Sequence, residues 1–170
     1  AYNNYPVVNV SVAQCQAYCK WLAEKMDKTE MANFKDIEVR LPTDVEWEYA
    51  ARGGNESGNY PFGEYLRNSK GEYLANFRKL PEGSAVKLNG NIELKISYNN
   101  YEPSFLTAPV DMYFENGYGL YHMAGNVAEF VLPPNNTADL ETILEKKGIT
   151  RGGSFFDPAY YMQCSVRDFY

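Results

Sequence analysis

The stretch 40-RLPTDVEWEYAARGG-54 contains the start, the body and the end of one helix. Pro42 restricts the residue before it to extended geometry, so the chain approaches the helix from an extended segment. Thr43 and Glu46 have the Thr-x-x-Glu spacing of a capping box, in which each side chain satisfies a free backbone N–H of the other residue. The pair Gly53-Gly54 is typical of a helix end. We therefore predict a short helix between Thr43 and Gly53.

A second helix is predicted upstream from the same kind of start signal. Ser11 and Gln14 form another capping box, with Ser11 as the N-cap. Apolar residues then recur at steps of three and four, which is the helical period, to about Met26. Because Cys15 and Cys19 are one turn apart on the apolar face, we expect both thiols to face the core.

The rest of the chain has no long regular period. Between residues 55 and 116, Gly, Asn, Pro and Ser interrupt the pattern, which predicts loops with short strands. Residues 139–148 could form a short helix or a variable surface insert, and residues 149–156 look like a strand that passes through the turn pair Gly152-Gly153. Two early helices, an irregular middle and late short strands indicate the α+β class.

The composition fits one globular domain and excludes several kinds of protein. The chain has 170 residues, of which 45% are hydrophobic and 22% charged, so it can bury a genuine core. A net charge of -6 and no cluster of Lys and Arg remove the electrostatic basis for binding nucleic acid. No stretch reaches the roughly 18 consecutive apolar residues that span a bilayer. Three cysteines are an odd number and do not decide the compartment.

Several blocks, in order, resemble those of the formylglycine-generating enzyme and sulfatase-modifying factor family. They are 6-PVVNVSVAQCQAYCKWL-22, 40-RLPTDVEWEYAARGG-54, 60-YPFG-63, 75-AN-76, 108-APVD-111, 117-GYGLYHMAGNVAEF-130 and 151-RGGSF-155, followed by Cys164 and Arg167. Their order and spacing over nearly the whole chain carry the resemblance. It implies a variant of the C-type lectin fold, with two helices, short strands and a high irregular content. It also implies a single domain over residues 1–170 that is trimmed at both ends.

The resemblance implies an oxidase site whose cysteine pair is missing here. Catalytic members place two cysteines between the Gly-Gly-Ser turn and a closing Cys-x-x-Arg, where they are taken to bind copper, and soft thiolates suit Cu(I). Residues 155–163 read FFDPAYYMQ, with Asp157 where the first cysteine would fall. The site near Ser154, Asp157 and Arg167 is therefore predicted to be degenerate. We assign no catalytic residue, and copper is not expected.

The cysteines and the single histidine suggest no other catalytic site. By resemblance, Cys164 and Cys19 match structural cysteines of relatives, but the usual partner of Cys164 is here Ala51 and the partner of Cys19 would lie beyond Tyr170. We interpret them as buried or unpaired thiols. A Ser-His, Cys-His or zinc site would have to be built on His122, which we interpret as a turn or surface residue.

The resemblance also implies two structural calcium sites. Calcium takes six to eight oxygen ligands from carboxylates, amides and carbonyls, and loops can supply these. The first site would use Asn76, the Phe77 carbonyl and Glu102, and the second would use Asn126 and Glu129. Relatives often have Asp at position 102, and Ala128 replaces a usual Trp beside the second site. The alternative for the second site is a turn asparagine, with Glu129 paired to a base.

The leading hypothesis is a non-catalytic member of the family that binds a protein partner or serves assembly. Similar domains without the cysteines occur in exported lipoproteins of gliding-motility and type IX secretion machinery, so the resemblance implies a periplasmic, outer-membrane or cell-surface location. Phe155, Phe156, Tyr160 and Tyr161 lie where the enzymes hold substrate, and they either anchor an interface or belong to the core. The alternative is a formylglycine-generating oxidase that converts a sulfatase cysteine to formylglycine, with its cysteines outside this chain, or a relative with different chemistry.

Overall fold

Two helices and short antiparallel strands make up the regular structure of the described residues, which confirms the α+β class. The computed structural model describes residues 3–26, 38–79, 82–88, 91–97, 106–133 and 148–169. The elements are α1 (Val12–Met26), α2 (Asp44–Arg52), β1 (Glu82–Leu88), β2 (Asn91–Ser97), β3 (Glu129–Val131), β4 (Ile149–Arg151), the 3-10 turn η1 (Ala159–Met162) and β5 (Asp168–Phe169). The predicted segment 139–148 lies outside the described residues, apart from Gly148.

Helix α2 begins and ends as its sequence predicts. Thr43 Oγ1 accepts a hydrogen bond from the Glu46 N–H at 3.3 Å, and Glu46 Oε2 accepts one from the Thr43 N–H at 2.8 Å. Gly53 ends the helix in the left-handed conformation, with φ of 54°. A Cβ at this position would lie 2.7 Å from the backbone nitrogen of Gly117, so only glycine fits here.

Helix α1 has the predicted start but not the predicted burial. The Ser11 N–H donates to Gln14 Oε1 at 2.8 Å, and the Gln14 N–H donates to Ser11 Oγ at 3.3 Å. The helix, which is described in full, contains no buried residue. Cys15 and Cys19 are only half-buried, so the expectation that they face the core is wrong. The apolar period identifies one face of a helix, but it does not say how deeply that face is covered.

A three-stranded antiparallel sheet has β4 at its centre. In the order β3-β4-β5, Thr150 of β4 is paired with Phe130 on one side and with Asp168 on the other. Alternation along β4 places Ile149 and Arg151 on one face of the sheet and Thr150 on the opposite face. The strand ends earlier than predicted, at Arg151, because Gly152 and Gly153 both have left-handed φ angles, of 81° and 64°.

A hairpin of two seven-residue strands interrupts the irregular middle of the chain. Strands β1 and β2 pair antiparallel, with Leu88 opposite Asn91 and Glu82 opposite Ser97. The two strands confirm the short strands expected in this part of the chain, but their seven-residue length shows that a strand period does persist over residues 82–88 and 91–97. The missed signal is Asn89-Gly90, a dipeptide typical of two-residue hairpin turns, which stands between two runs with strand character.

Among the residues that the structure describes, two hydrophobic clusters meet at Met123-Ala124. Met123 belongs to the cluster around α2 and β4, and Ala124 belongs to the cluster around residues 60–77. The first cluster contains Trp47, Ala51, Met123, Val131, Ile149 and Cys164, and the second contains Leu66, Ala75, Phe77, Ala124 and Met162. Because neighbouring residues pack into different clusters, this short loop connects the two halves of the core.

A buried cluster of charged side chains connects α2, β4 and the C-terminal segment. The Arg151 side chain is fully buried, and its guanidinium lies 2.6 Å from Asp44 Oδ1 and 3.0 Å from Glu48 Oε2. It also donates to two backbone carbonyls of the C-terminal segment. Arg167 binds the other carboxylate oxygen of Asp44 at 2.6 Å. Burial alone would raise the pKa of Asp44, but hydrogen bonds from Arg167 and Arg151 lower it below its ordinary value.

We predict that Asp44→Asn destabilises the fold by about 3–5 kcal/mol, because it leaves the buried Arg151 charge without its main partner. Since the folded-state pKa of Asp44 is lowered, its stabilisation is present above about pH 4 and is lost as the pH falls through the lower folded value. Urea denaturation between pH 7 and pH 3 measures both effects, and the variant should lose less stability in acid than the wild type does.

The matched control is Arg40→Gln, which removes an exposed ion pair with Glu46 and keeps the capping box. Exposed pairs contribute little to stability, so the urea midpoint of this variant should stay close to that of the wild type. Equal midpoints for Asp44→Asn and Arg40→Gln would contradict a central role for the buried cluster.

Candidate functional site

Two buried asparagines join three loops in the middle of the molecule. The backbone N–H of Asn126 donates to the carbonyl of Asn76 at 2.7 Å, and Asn76 Nδ2 donates to Asn126 Oδ1 at 3.2 Å. The Asn126 carboxamide also pairs with the backbone of Ala108 in both directions, at 2.7 Å and 3.1 Å. Asn126 is left-handed, with φ of 69°, a conformation that asparagine tolerates better than most residues. Both ends of its carboxamide are thus satisfied by the protein.

Gly125 allows this close packing because it has no side chain. Its φ is 76°, and a Cβ would lie 2.2 Å from the Asn76 carbonyl oxygen. Its N–H donates to the Gly152 carbonyl at 2.8 Å, which ties the loop to the Gly-Gly-Ser turn. Any other residue here would be strained in its backbone and would collide with Asn76. The segment around Gly125 therefore packs directly against the Asn76 loop and the Gly-Gly-Ser turn.

Glu129 binds a residue of α2 rather than a base. Its Oε2 accepts a hydrogen bond from Trp47 Nε1 at 2.6 Å, across 82 positions of sequence. Burial raises the pKa of the Glu129 carboxyl above its ordinary value, and the hydrogen bond from the indole opposes this rise. The interaction fixes the start of β3 against the helix.

The residues predicted to bind calcium are only partly brought together. Asn76 and Asn126 are in contact, Phe77 is buried in the second cluster, and Glu102 lies outside the described residues. Asn126 Oδ1 already accepts two hydrogen bonds, so it does not fit as a ligand in this arrangement. No group of three or more His, Cys, Asp or Glu side chains within the described ranges could hold a metal.

The turn that follows β4 contains Asp157, which the resemblance places where the first catalytic cysteine would fall. Asp157 Oδ2 accepts hydrogen bonds from the Ser154 hydroxyl at 2.6 Å and from the Ser154 backbone N–H at 2.9 Å. The Asp157 carbonyl accepts a further bond from the Arg78 N–H at 2.9 Å. Arg167, the third residue of the predicted degenerate site, is bound to Asp44. The carboxylate therefore closes its own turn and offers no soft ligand to copper.

The three cysteines do not provide a copper-binding pair at the predicted degenerate site. All three lie within the described residues and are free thiols. Cys164 is fully buried in the first core cluster with Trp47 and Ala51, and burial raises the pKa of its thiol to about 11. Cys19 lines a different cleft, beside Arg40 and Leu132. The residues present therefore do not fit a copper centre at the degenerate site.

His122 is a buried loop residue rather than a surface one. Its Nε2 lies 2.8 Å from the Pro109 carbonyl oxygen, and because a carbonyl only accepts hydrogen bonds, Nε2 carries the proton. The ring packs edge-on against Tyr113, with centroids 5.9 Å apart. Its backbone is left-handed, with φ of 55°. The histidine thus serves to hold the 109–122 loop.

Two of the four aromatic residues predicted near the degenerate site are exposed. Phe156 and Tyr160 have 65% and 60% of their surfaces accessible, while Tyr161 packs against the second core cluster. The Arg78 guanidinium lies 6.0 Å from the centre of the Phe156 ring. We call Phe156, Tyr160 and Arg78 the aromatic surface. The interpretation of all four residues as core is excluded for Phe156 and Tyr160.

The whole chain, residues 1–170, matches the sulfatase-modifying factor enzyme 1-like domain. The formylglycine-generating enzyme of Mus musculus is 36% identical over 129 residues, which is 75% of this chain and 27% of that protein. The enzyme of Bos taurus is 35% identical over 182 residues, 96% of this chain and 39% of that protein. The inactive C-alpha-formylglycine-generating enzyme 2 of Bos taurus is 29% identical over 155 residues, 91% of this chain and 40% of that protein. The chain therefore spans less than half the length of these relatives.

Solved structures confirm the predicted C-type lectin-like fold of formylglycine-generating enzyme type. PvdO from Pseudomonas aeruginosa has a TM-score of 0.64 and 22% identity, over 98% of this chain and 56% of that one. Treponema denticola variable protein 1 has a TM-score of 0.61 and 21% identity, over 98% of this chain and 66% of that one. Within the described ranges, no helix has both the length and the apolar character needed to cross a membrane.

Proposed function

Since the chain belongs to the family of the sulfatase-modifying factor enzyme 1-like domain, we propose that it is a non-catalytic member that binds a protein partner. The observation that carries the proposal is the turn between Ser154 and Asp157. An aspartate stands there in the place that the resemblance assigns to the first catalytic cysteine, and its carboxylate is used to hold the turn. The similarity to a relative named inactive C-alpha-formylglycine-generating enzyme 2 supports the non-catalytic part of the proposal.

The aromatic surface is the proposed interface with the partner. Phe156 and Tyr160 expose large apolar areas, and Arg78 lies against the Phe156 ring. Aromatic residues and arginine are the types that contribute most to binding energy at interfaces. The turn that carries Phe156 is held by the Asp157 carboxylate and by the hydrogen bond from the Arg78 N–H to the Asp157 carbonyl. Because the turn is already fixed, binding would cost little conformational entropy.

Location and calcium binding complete the proposal. Cysteine-less domains of this family in exported lipoproteins, including those of gliding motility and type IX secretion, support an exported location for this chain.

A structural calcium ion would be held by Glu129 with loop carbonyls, where it would neutralise a carboxylate that burial otherwise disfavours. Such an ion would brace loops that carry little regular structure.

The second candidate is a formylglycine-generating oxidase, favoured by the identity of 35–36% to two enzymes of that name. It needs thiols that residues 155–163 do not contain. We predict that the chain, loaded with Cu(I) and given oxygen and a Cys-x-Pro-x-Arg peptide, forms no formylglycine by mass spectrometry. Turnover that disappears when Cys164 is replaced by serine would overturn the non-catalytic assignment.

Photocrosslinking tests the proposed interface directly. We expect benzoylphenylalanine in place of Phe156 to crosslink one recurrent protein in the native host, because this position is exposed and belongs to the aromatic surface. The same group in place of Tyr65, which is 77% exposed but outside that surface, is the control. Tyr160→Ala should reduce the yield from position 156 several-fold. Equal products from positions 156 and 65 would count against the interface.

Thermal melts with calcium or chelator test the proposed ion. We expect calcium to raise the melting temperature of the wild type, since an ion at 100 times its dissociation constant stabilises the folded state by about 2.7 kcal/mol. Glu129→Gln keeps an acceptor for the Trp47 indole but removes the charge that binds calcium. This variant should melt at the same temperature in both conditions. The calcium proposal would be wrong if the wild type melted at the same temperature with calcium and with chelator.

A further inference from the structure

Two tyrosines that are far apart in the sequence form an exposed pair near the C-terminal end of α2. The ring centroids of Tyr49 and Tyr118 are 5.5 Å apart, and the ring planes are tilted by 41°. A hydrogen bond between the two side chains is the main reason that the pKa of Tyr118 is raised. Tyr49 has 67% of its surface accessible and Tyr118 has 46%. We call these two residues the tyrosine pair, and much of their aromatic surface is open to a ligand.

The loop that carries Tyr118 is fixed to α2 by a buried asparagine. Asn116 Nδ2 donates to the Ala50 carbonyl at 2.7 Å, and Asn116 Oδ1 accepts from the Tyr118 N–H at 3.0 Å. A Cβ on Gly117 would lie 2.2 Å from the Gly53 carbonyl oxygen, so the loop is in direct contact with the end of the helix. The tyrosine pair is therefore held in place before any ligand binds, which lowers the entropic cost of binding.

Two exposed carboxylates lie close to the tyrosine pair. The negative charge of Glu56 adds to the hydrogen bond with Tyr49 and to desolvation in raising the pKa of Tyr118, so this charge is within electrostatic range of the pair. Glu115 Oε2 lies 3.8 Å from the position that a Cβ on Gly119 would occupy, and Gly119 is the next residue after Tyr118. Neither glutamate forms an ion pair within the described part of the chain.

The arginine at the end of α2 is already engaged elsewhere. The Arg52 guanidinium donates to Glu48 Oε1 at 2.7 Å and 3.1 Å, and to the carbonyls of Glu56 and Gly58 at 3.2 Å and 3.1 Å. The segments 43–60 and 106–121, which contain the tyrosine pair and the two carboxylates, have no lysine and no other arginine. A countercharge for these carboxylates must therefore come from another part of the chain or from a ligand.

The chemistry of the tyrosine pair selects a cation. The face of an aromatic ring carries partial negative charge, which attracts an ammonium or guanidinium group. The carboxylates of Glu56 and Glu115 add to this attraction and would repel an anion. Lysine and arginine side chains also have an apolar stem that can lie along a ring while the charged group stays near water. Both the rings and the charges around them thus fit a basic side chain.

We propose that the tyrosine pair binds a lysine or arginine side chain of a basic polypeptide, with Glu56 and Glu115 as the countercharges. The tyrosine pair shares no residue with the aromatic surface, so this assignment goes beyond the proposed function and does not depend on it. The net charge of -6 would favour the approach of a basic segment.

Two peptides of nearly the same shape test the role of charge. The acetylated and amidated peptide Gly-Arg-Arg-Gly should shift the backbone amide signals of Tyr49, Tyr118 and Gly119 in NMR titrations of the whole chain. The same peptide with citrulline in place of arginine is neutral, and it should bind several-fold more weakly. Equal binding of the two peptides would overturn the role of charge, and the absence of any shift at millimolar arginine peptide would overturn the site.

A matched pair of variants tests the rings. Tyr49→Leu keeps a good helix former at an exposed position of α2 but removes the aromatic face. It should weaken the binding of the arginine peptide roughly two- to fivefold, as expected for one exposed cation–π contact. Tyr65→Leu removes a tyrosine that is 77% exposed outside the tyrosine pair, and it should leave binding unchanged. Equal losses in the two variants would overturn the tyrosine pair as the binding surface.

A second pair of variants tests the countercharge. Glu56→Gln should weaken the arginine peptide several-fold and leave the citrulline peptide unaffected. Glu24→Gln removes the same charge from an exposed position on α1 and should have little effect on either peptide. Equal weakening by both variants would indicate a general effect of net charge and would overturn the site. Crosslinking from position 156 does not involve these residues, so the two surfaces can fail separately.

Discussion

The rest of the structure depends on the ion pairs of the buried Arg151 guanidinium. It is held by Asp44 and Glu48 of α2, and its own strand is paired with β3 and β5. A charge in this position is tolerated only when it is paired and hydrogen-bonded, so helix and sheet must meet in one register. That register also decides the faces of β4, because a residue that points into the charged cluster forces Thr150 to the opposite side.

The loop around Gly125 shows how close backbone packing fixes the identity of two neighbouring residues. Gly125 and Asn126 connect the Asn76 loop, the Ala108 loop and the Gly-Gly-Ser turn through short backbone contacts. These contacts need glycine and an amide for reasons of packing, whatever else the site does. The nearby Asp157 differs, because its carboxylate satisfies the turn without offering a thiolate. The packing of the three loops and the closure of the turn therefore depend on different residues of one region.

The sequence predicts both helix starts because a capping box is formed by residues that are close together in the chain. The capping boxes at Ser11 and Thr43 each involve residues three apart, and both are present. The hairpin at residues 82–97 could have been predicted from Asn89-Gly90, but the surrounding Gly and Ser residues obscured it. The bond of Glu129 to Trp47 spans 82 positions, and no spacing rule could have indicated it.

The sequence by itself determined the family, the two helix starts and the absence of a thiol between residues 155 and 163. These follow from the order of residues and from interactions within one turn of the chain. Only the tertiary structure decided that the Asn126 carboxamide is hydrogen-bonded to Ala108, that Phe156 is exposed and that Thr150 lines a cavity. The physical reason is that burial and hydrogen-bond partners depend on which distant segments come into contact. Patterns between neighbouring residues do not show these long-range contacts.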